Sequence, residues 1–208
     1  MEMPDLLIDG PDSAPTKVIL AHGAGAEMDS DFMNFFADGI AKLNYQAVRF
    51  EFPYMETRRL TGVKRPPDRL PILLNTWQTI IKHFDSKMIV IGGKSMGGRI
   101  ASMLADEIAV KGLICLGYPF CGAGRKIKSR ADHLRQIRTP TLICQGSRDP
   151  MGNFKAISEI ELSKSVYIHW LEDGNHSLKP RKLSGRSQNQ NWQDALNAME
   201  KFLFELED

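Results

Sequence analysis

Short runs of aliphatic and β-branched residues alternate along this chain with longer segments in which apolar residues recur at helical spacing. A short apolar run bounded by turn residues is typical of a buried strand, and apolar residues three or four positions apart indicate an amphipathic helix. Because the two kinds of segment alternate, we predict an α/β fold with a mostly parallel central sheet and helices on both faces. The predicted strands are 6–8, 17–21, 47–50, 88–91, 111–116, 140–144 and 165–171, and the main predicted helices are 31–43, 70–84, 154–162 and 190–206.

Length and composition fit a globular enzyme-sized domain. The chain has 208 residues, of which 42% are hydrophobic and 25% charged, and we predict that residues 1–208 form a single domain. No apolar run approaches a membrane span, and the acidic N-terminus lacks a signal-peptide core, so no membrane contact and a cytoplasmic location are expected. The three cysteines match no disulfide framework, and no Cys/His cluster has zinc spacing, so we predict no metal and no cofactor.

The pentapeptide Gly-Lys-Ser-Met-Gly at 93–97 lies between the predicted strand 88–91 and a helical pattern. Strand, Gly-x-Ser-x-Gly and helix together predict a sharp turn that lifts Ser95 above the sheet in strained backbone angles. The outer glycines remove side chains that would collide in such a turn. A phosphate-binding loop fits less well, because its motif needs a glycine where this chain has Met88. We therefore predict that Ser95 is a nucleophile.

Two further polar residues follow predicted strands. Functional residues of an open parallel sheet gather at the carboxyl ends of its strands, so we expect Ser95, Asp149 and His176 to meet there. A serine hydroxyl needs a base to take its proton, and a histidine side chain, with an ordinary pKa near ~6.5, suits that role. Asp149 would hold the imidazole in the required tautomer. Asp173, three residues before His176, is the alternative acid.

The turn after the first long strand reads His22-Gly23-Ala24-Gly25. Attack by a serine on an acyl carbon creates an oxyanion, which needs hydrogen-bond donors already in place. We predict that Met96 N–H is one donor and that Ala24 N–H, or alternatively Gly25 N–H, is the other. Taken alone, the segment also fits a glycine-rich turn without a function. His22 is expected to brace the turn rather than to act as the base.

Four motifs in this order resemble the α/β-hydrolase superfamily over nearly the whole chain: 22–25, 93–97, Gly-Ser-Arg-Asp at 146–149 and Gly-Asn-His at 174–176. The chain is similar to compact members such as dienelactone-hydrolase-like and small predicted bacterial hydrolases, and it has no insertion large enough for a helical lid. It also resembles the hydrolase-like domain of a group of chromatin-complex subunits, in which catalysis need not be retained. The resemblance implies hydrolysis of an ester, thioester or related acyl bond by a serine–histidine–aspartate triad through an acyl-enzyme.

Basic residues concentrate in three segments of the chain that are predicted to be loops. Segments 53–71, 119–135 and 179–186 carry 14 of the 27 lysines and arginines and three acidic residues. Two of them follow predicted strands and the third follows His176, so we expect them near the catalytic face. Basic surface loops can also serve solubility alone.

Within these segments, we predict that Arg58, Arg59 and Arg125 bind substrate. Guanidinium groups recognise carboxylates and phosphates through paired hydrogen bonds, so anionic small-molecule esters are the expected substrates and nucleic acid is not an expected partner. The alternative function is a hydrolase-like binding module whose basic face contacts an acidic protein or nucleic acid.

Overall fold

The computed structural model describes residues 3–84, 88–122 and 130–207. Its strands are β1 (Leu6–Asp9), β2 (Thr16–Ala21), β3 (Gln46–Phe50), β4 (Met88–Lys94), β5 (Gly112–Leu116), β6 (Thr141–Gly146) and β7 (Val166–Leu171). Within the described residues they form one seven-stranded sheet in the order β1-β3-β2-β4-β5-β6-β7. The edge strand β1 is antiparallel to β3, and every other neighbouring pair is parallel.

Helices cover both faces of this sheet. They are α1 (Asp31–Lys42), α2 (Pro53–Thr61), α3 (Leu70–His83), α4 (Met96–Ser102), α5 (Ala105–Ile108), α6 (Phe154–Ile157) and α7 (Gln188–Glu207). The helices α1 and α7 pack on one face, and α3, α4 and α5 pack on the other. In the described ranges, none of them combines the length and the hydropathy that crossing a membrane requires.

The strand β2 illustrates why the sheet strands are almost continuously apolar. Its side chains alternate between faces, as the pleat of a strand dictates. Val18 and Leu20 join the cluster under α1 and α7, whereas Ile19 and Ala21 join the cluster under α3 and α4, and all four are fully buried. A parallel sheet covered on both faces leaves no solvent side for polar residues, which confirms the predicted fold class.

The prediction that 53–71 is a loop was wrong for its first half. The helix α2 occupies Pro53–Thr61, with the proline in its first turn and Gly62 ending it at φ 70°. Proline is favoured at that position because its missing N–H has no partner there, and glycine tolerates the left-handed angle at the C-terminus. Only Tyr54 and Met55 of this helix are buried, so its apolar pattern is too sparse to indicate a helix.

The order of the strands creates a crevice above the centre of the sheet. From β2 the chain continues to β3 on one side, and it later returns to add β4 on the other side. The connections that leave β2 and β4 therefore diverge, and ligands of open α/β sheets bind at such a point, outside the carboxyl ends of the strands. The turn at 22–25 and the turn at 93–97 both border this crevice.

Candidate active site

Ser95 occupies a strained turn between β4 and α4. Its backbone has φ 50° and ψ −111°, a combination that costs a non-glycine residue about 1–3 kcal/mol. The turn also passes very close to β2: a Cβ atom on Gly93 would lie 2.0 Å from the Ala21 carbonyl oxygen, and one on Gly97 would lie 2.4 Å from it. Because glycine alone fits at both positions, the chain can press the turn against β2 and present the Ser95 side chain at the crevice.

The structure brings Ser95, His176 and Asp149 together. His176 Nε2 lies 2.8 Å from Ser95 Oγ, and His176 Nδ1 lies 2.7 Å from Asp149 Oδ2. A carboxylate only accepts, so Nδ1 carries a hydrogen toward Asp149 and Nε2 is left to accept from the serine hydroxyl. Asp149 is fully buried, whereas the imidazole is 26% exposed. The serine proton therefore has an acceptor that faces the crevice and a buried carboxylate behind it.

Gln145 fixes the carboxylate, and the sequence did not single it out. Its Nε2 donates to Asp149 Oδ2 at 2.9 Å and to the Gly152 carbonyl at 2.9 Å, while its Oε1 accepts from Tyr118 N–H at 2.7 Å. Met151 N–H donates to the other oxygen of Asp149 at 2.8 Å. Gln145 is fully buried in β6, where a polar side chain requires such partners. A glutamine within an apolar strand was the one available signal for this residue.

Asp173, the alternative acid, is engaged elsewhere. Its carboxylate pairs with Arg181 at 2.6 Å and with Arg148 at 2.7 Å. Hydrogen bonds from Arg181 hold the pKa of Asp173 well below its ordinary range. Asp149, not Asp173, is the carboxylate within hydrogen-bond distance of the His176 ring.

The loop that carries His176 is tied to α7 by side chains of that helix. Asn191 Nδ2 donates to the Leu178 carbonyl at 2.8 Å, and Trp192 Nε1 donates to the Ser177 carbonyl at 3.1 Å. Leu178 is fully buried, so the bond from Asn191 satisfies a carbonyl that has lost its water partners. The backbone on the C-terminal side of His176 is thereby fixed to a rigid element.

The turn after β2 is held by its carbonyl groups. The Gly23 carbonyl accepts from His22 Nδ1 at 2.6 Å and from the Tyr54 hydroxyl at 3.5 Å, and the Ala24 carbonyl accepts from the same hydroxyl at 3.1 Å. In a trans peptide the N–H points opposite to the preceding carbonyl. The N–H groups of Ala24 and Gly25 therefore point away from Tyr54. Ala24 lines both cavities that border Ser95, which supports, without testing, the prediction that its N–H is an oxyanion donor.

Both ring nitrogens of His22 form hydrogen bonds that hold this turn. Its Nδ1 donates to the Gly23 carbonyl, so its Nε2 is unprotonated and accepts from Phe52 N–H at 3.1 Å. The ring is fully buried, and burial lowers the pKa of His22 below its ordinary value. A neutral imidazole with both nitrogens occupied fits the structural role predicted for it.

Met96, the second predicted donor, is the first residue of α4. The first four N–H groups of a helix have no partner within the helix. Met96 follows Ser95 directly and lines one of the cavities beside it. Its N–H thus lies next to Ser95, and its role as a donor stays a prediction.

Lys94 packs beneath the His176 loop. Its ammonium donates to the His176 carbonyl and lies 5.3 Å from the centre of the Phe32 ring. Burial lowers the pKa of Lys94 from 10.5 to about 8, although the Asp149 carboxylate acts in the opposite direction. Lys94, the residue before Ser95, thus anchors the backbone of His176, whose ring faces Ser95.

The lowered pKa of Lys94 gives folding stability a defined dependence on pH. Above about pH 8 the folded protein has lost this proton, whereas the unfolded chain keeps it up to about pH 10.4. The unfolded state binds more protons in that window, so stability rises with pH there. We expect the free energy of unfolding of the wild type, relative to Lys94→Met, to rise by at most about 3 kcal/mol between about pH 7.5 and pH 10.5.

Urea denaturation at several pH values measures this difference. Lys201→Met is the matched control, because the Lys201 side chain is 79% exposed, and its difference from wild type should not change with pH. If the difference in the free energy of unfolding between the wild type and Lys94→Met did not change with pH, the lowered pKa of Lys94 would be contradicted.

Arg58 and Arg59, two of the residues predicted to bind substrate, do not line the cavities beside Ser95. Arg58 donates to the Gly25 carbonyl at 3.1 Å and pairs with Glu27 at 3.5 Å. Arg59 pairs with Asp29 at 2.7 Å and with the buried Glu51 at 2.6 Å. Neither arginine lines the two cavities at Ser95. Because α2 forms where a loop was expected, these side chains turn toward the connection after β2 and brace it.

Arg125, the third residue of that prediction, lies outside the described residues. The arginines of the basic segment 179–186 also pair with acidic side chains of the same chain. Arg181 pairs with Asp173, and Arg186 pairs with Glu172 at 3.5 Å and with Asp194 at 3.1 Å. Four of the nine lysines and arginines in 53–71 and 179–186 therefore pair with acidic side chains from other parts of the chain: Arg58, Arg59, Arg181 and Arg186.

Two cavities border Ser95 within the described residues. The larger, of about 620 Å³, is mostly apolar and is called here the histidine-side cavity, because His176 lines it. The smaller, of about 370 Å³, is called the arginine-side cavity. Both volumes are in the range of small-molecule sites. The histidine-side cavity is lined mainly by Phe32, Met33, Lys94, Met151, His176 and Trp192, and the arginine-side cavity by Asp68, Leu73, Met96, Arg99, Ile100 and Arg130.

Comparison with known proteins agrees with this architecture. A family model described as an alpha/beta hydrolase domain matches residues 14–204. XC6422 from Xanthomonas campestris, a serine hydrolase without a lid, has a TM-score of 0.71 at 18% identity, over 97% of this chain and 88% of that one.

Two other solved structures show the same likeness. A serine hydrolase homologue from Coxiella burnetii has a TM-score of 0.66 at 19% identity, over 95% of this chain and 88% of that one. Est1E from Butyrivibrio proteoclasticus has a TM-score of 0.73 at 13% identity, over 97% and 93%. At such identities the likeness is one of fold.

Proposed function

The chain belongs to the alpha/beta hydrolase family, whose model spans nearly all of it, and from this premise we propose that it is a serine hydrolase acting on an ester, thioester or related acyl bond of a small molecule. The family and the fold support hydrolase activity. The single observation that carries the finer proposal is the continuous hydrogen-bonded series from Ser95 through His176 to the buried Asp149, with 2.8 and 2.7 Å between the reacting atoms.

In the proposed reaction, His176 Nε2 takes the proton of Ser95 Oγ as that oxygen attacks the acyl carbon. The negative charge that develops on the acyl oxygen is stabilised by the N–H groups of Met96 and Ala24. Asp149 stabilises the imidazolium that forms. When the tetrahedral intermediate collapses, His176 gives the proton to the leaving group, and the acyl group remains on Ser95.

Water completes the cycle by the same route. His176 takes a proton from a water molecule, which attacks the acyl-enzyme, and the serine oxygen leaves with that proton. One water is consumed, and an acid and an alcohol or thiol are released. The residues named supply every proton transfer, so the proposal requires no cofactor.

The binding-module alternative finds less support. A basic face that attracts an acidic partner needs unpaired positive charge. Arg59, Arg181 and Arg186 instead pair with acidic residues of their own chain.

A panel of para-nitrophenyl esters and acyl thioesters tests the proposed function. We expect the purified protein to hydrolyse the ester or thioester of at least one acyl chain length at least about 10⁶-fold faster than the uncatalysed reaction. That factor is the lower end of the rate enhancements that enzymes typically achieve. Rates equal to the uncatalysed rate across the whole panel would contradict the proposal.

A further inference from the structure

The two cavities at Ser95 differ in the way they meet the catalytic groups. His176 lines the histidine-side cavity and Met96 lines the arginine-side cavity, while Ser95 and Ala24 border both. In the proposed reaction, the imidazole must reach the oxygen or sulfur of the leaving group to give it a proton. The leaving group therefore belongs in the histidine-side cavity, and the acyl part extends into the arginine-side cavity.

Two arginines line the arginine-side cavity, Arg99 on α4 and Arg130. Among the described residues, Arg99 Nε is buried and has no hydrogen-bond partner. No salt bridge joins either side chain to an acidic residue of the described chain. Because neither charge is paired with a carboxylate of the described chain, an anionic group in this cavity gains from both side chains.

The remaining charge in this cavity does not cancel the guanidinium groups. Asp68 is the acidic side chain that lines it, and its carboxylate already accepts from Tyr54 N–H at 2.9 Å. Two positive groups face one negative group, which leaves an excess of positive charge. Burial lowers the pKa of Arg99; Tyr118 acts in the opposite direction, and the nearby Arg130 adds to the lowering.

We propose that the substrate carries a carboxylate on its acyl part, bound by Arg99 and Arg130 in the arginine-side cavity, and an uncharged leaving group in the histidine-side cavity. The class is a monoester or monothioester of a dicarboxylic acid. Hydrolysis breaks the acyl bond, transfers a proton to the leaving alcohol or thiol, and releases the free dicarboxylate after water attacks the acyl-enzyme. This inference rests on the proposed function and specifies its substrate class.

Four esters, in two matched pairs, separate the possibilities. The para-nitrophenyl monoester of glutaric acid carries the charge on the acyl part, and para-nitrophenyl valerate is its neutral partner of equal carbon count. Para-carboxyphenyl valerate carries the charge on the leaving group instead, and phenyl valerate is its neutral partner. Rates with the Ser95→Ala protein are subtracted, because monoesters of dicarboxylic acids also hydrolyse spontaneously.

We expect kcat/KM for the glutaric monoester to exceed that for the valerate by about 10-fold, the size of one charge-assisted hydrogen bond in a partly exposed cleft. The charge on the leaving group should bring no such gain. The preference should decrease at high salt, because charges in an open cleft are screened.

Variants assign the preference to the two arginines. Arg130→Gln and Arg99→Gln should each lower the ratio of the two kcat/KM values several-fold. Arg138→Gln is the matched control, because that side chain is 86% exposed and lines neither cavity at Ser95, and its ratio should equal that of the wild type. If Arg99→Gln fails to fold, Arg130→Gln alone decides.

A wild-type ratio of kcat/KM between the glutaric monoester and the valerate that is near one would overturn this inference, and so would a ratio that neither arginine substitution lowers. In either case, hydrolysis of the neutral esters would leave the proposed function standing. A larger gain from the charge on the leaving group would also overturn it, since that result reverses the assignment of the cavities. Failure to hydrolyse any of the esters would overturn the proposed function and this inference with it.

Discussion

Replacement of Ser95 by alanine should lower kcat for ester hydrolysis by about a million-fold, the loss that serine hydrolases show without their nucleophile. The hydroxyl oxygen is the atom that forms the bond to the acyl carbon, and nothing in an alanine side chain can replace it. The same para-nitrophenyl esters measure the loss, and a thermal unfolding curve verifies that the variant folds. The substitution removes one oxygen atom at the surface of the crevice.

Ser158→Ala is the matched control for that change. Ser158 ends α6 and hydrogen-bonds the Lys155 carbonyl in an exposed position, so its removal should leave kcat unchanged. A Ser95→Ala protein that retains even a hundredth of the wild-type kcat would exclude Ser95 as the nucleophile.

Asp149→Asn should lower kcat/KM by roughly 10⁴-fold, whereas Asp173→Asn should change it little. Asparagine cannot stabilise the imidazolium, and its amide favours the tautomer in which Nε2 carries the hydrogen and cannot accept from the serine. Asp173 contacts Arg148 and Arg181 rather than His176. Its loss would affect stability before chemistry.

The two asparagine variants form a matched pair, because both remove one negative charge from a loop beside the sheet. Their kcat/KM values are compared on one ester, with the unfolding midpoint of each recorded. If Asp173→Asn were the more damaging of the two for kcat/KM, the acid would have to be assigned to Asp173.

The strand and turn pattern of the chain predicts most of what positions this site. Continuous apolar strands require cover on both faces, and that requirement fixes a parallel sheet and its carboxyl edge. From that edge the sequence predicts that Ser95, Asp149 and His176 meet, and the structure brings them within hydrogen-bond distance. Their catalytic roles stay predictions until they are measured.

Contacts between side chains far apart in the chain could not be predicted in this way. Lys94 reaches a carbonyl 82 positions away, and no local pattern indicates such a contact. Gln145 accepts from Tyr118 N–H, 27 positions away, and that contact depends on the pairing of β5 with β6. Periodicity reports which face of an element a residue occupies, not which distant group it touches.

For a related reason, the number of basic residues in a segment does not predict which of them lie at the cavities. The excess of basic residues in 53–71 and 179–186 predicts a positive catalytic face, but a count along the chain does not include the acidic partners that folding supplies. Arg59 pairs with Glu51, the first residue after β3, and Arg186 pairs with Asp194 on α7. Among the described residues, the arginines that line a cavity at Ser95 are Arg99 and Arg130. Arg130 belongs to the predicted basic segment 119–135, whereas Arg99 lies in the helical pattern after the turn, outside all three segments.

Reaction with a fluorophosphonate, followed by mass spectrometry of the digested protein, tests most directly the claim that Ser95 is an activated nucleophile. These reagents react much faster with a serine whose proton is removed by a nearby base, in a site that stabilises the resulting charge, than with an ordinary serine. The wild type should gain one adduct, on the peptide that contains Ser95, and Ser95→Ala should gain none. An unlabelled wild type, or an adduct that persists in Ser95→Ala, would contradict the account.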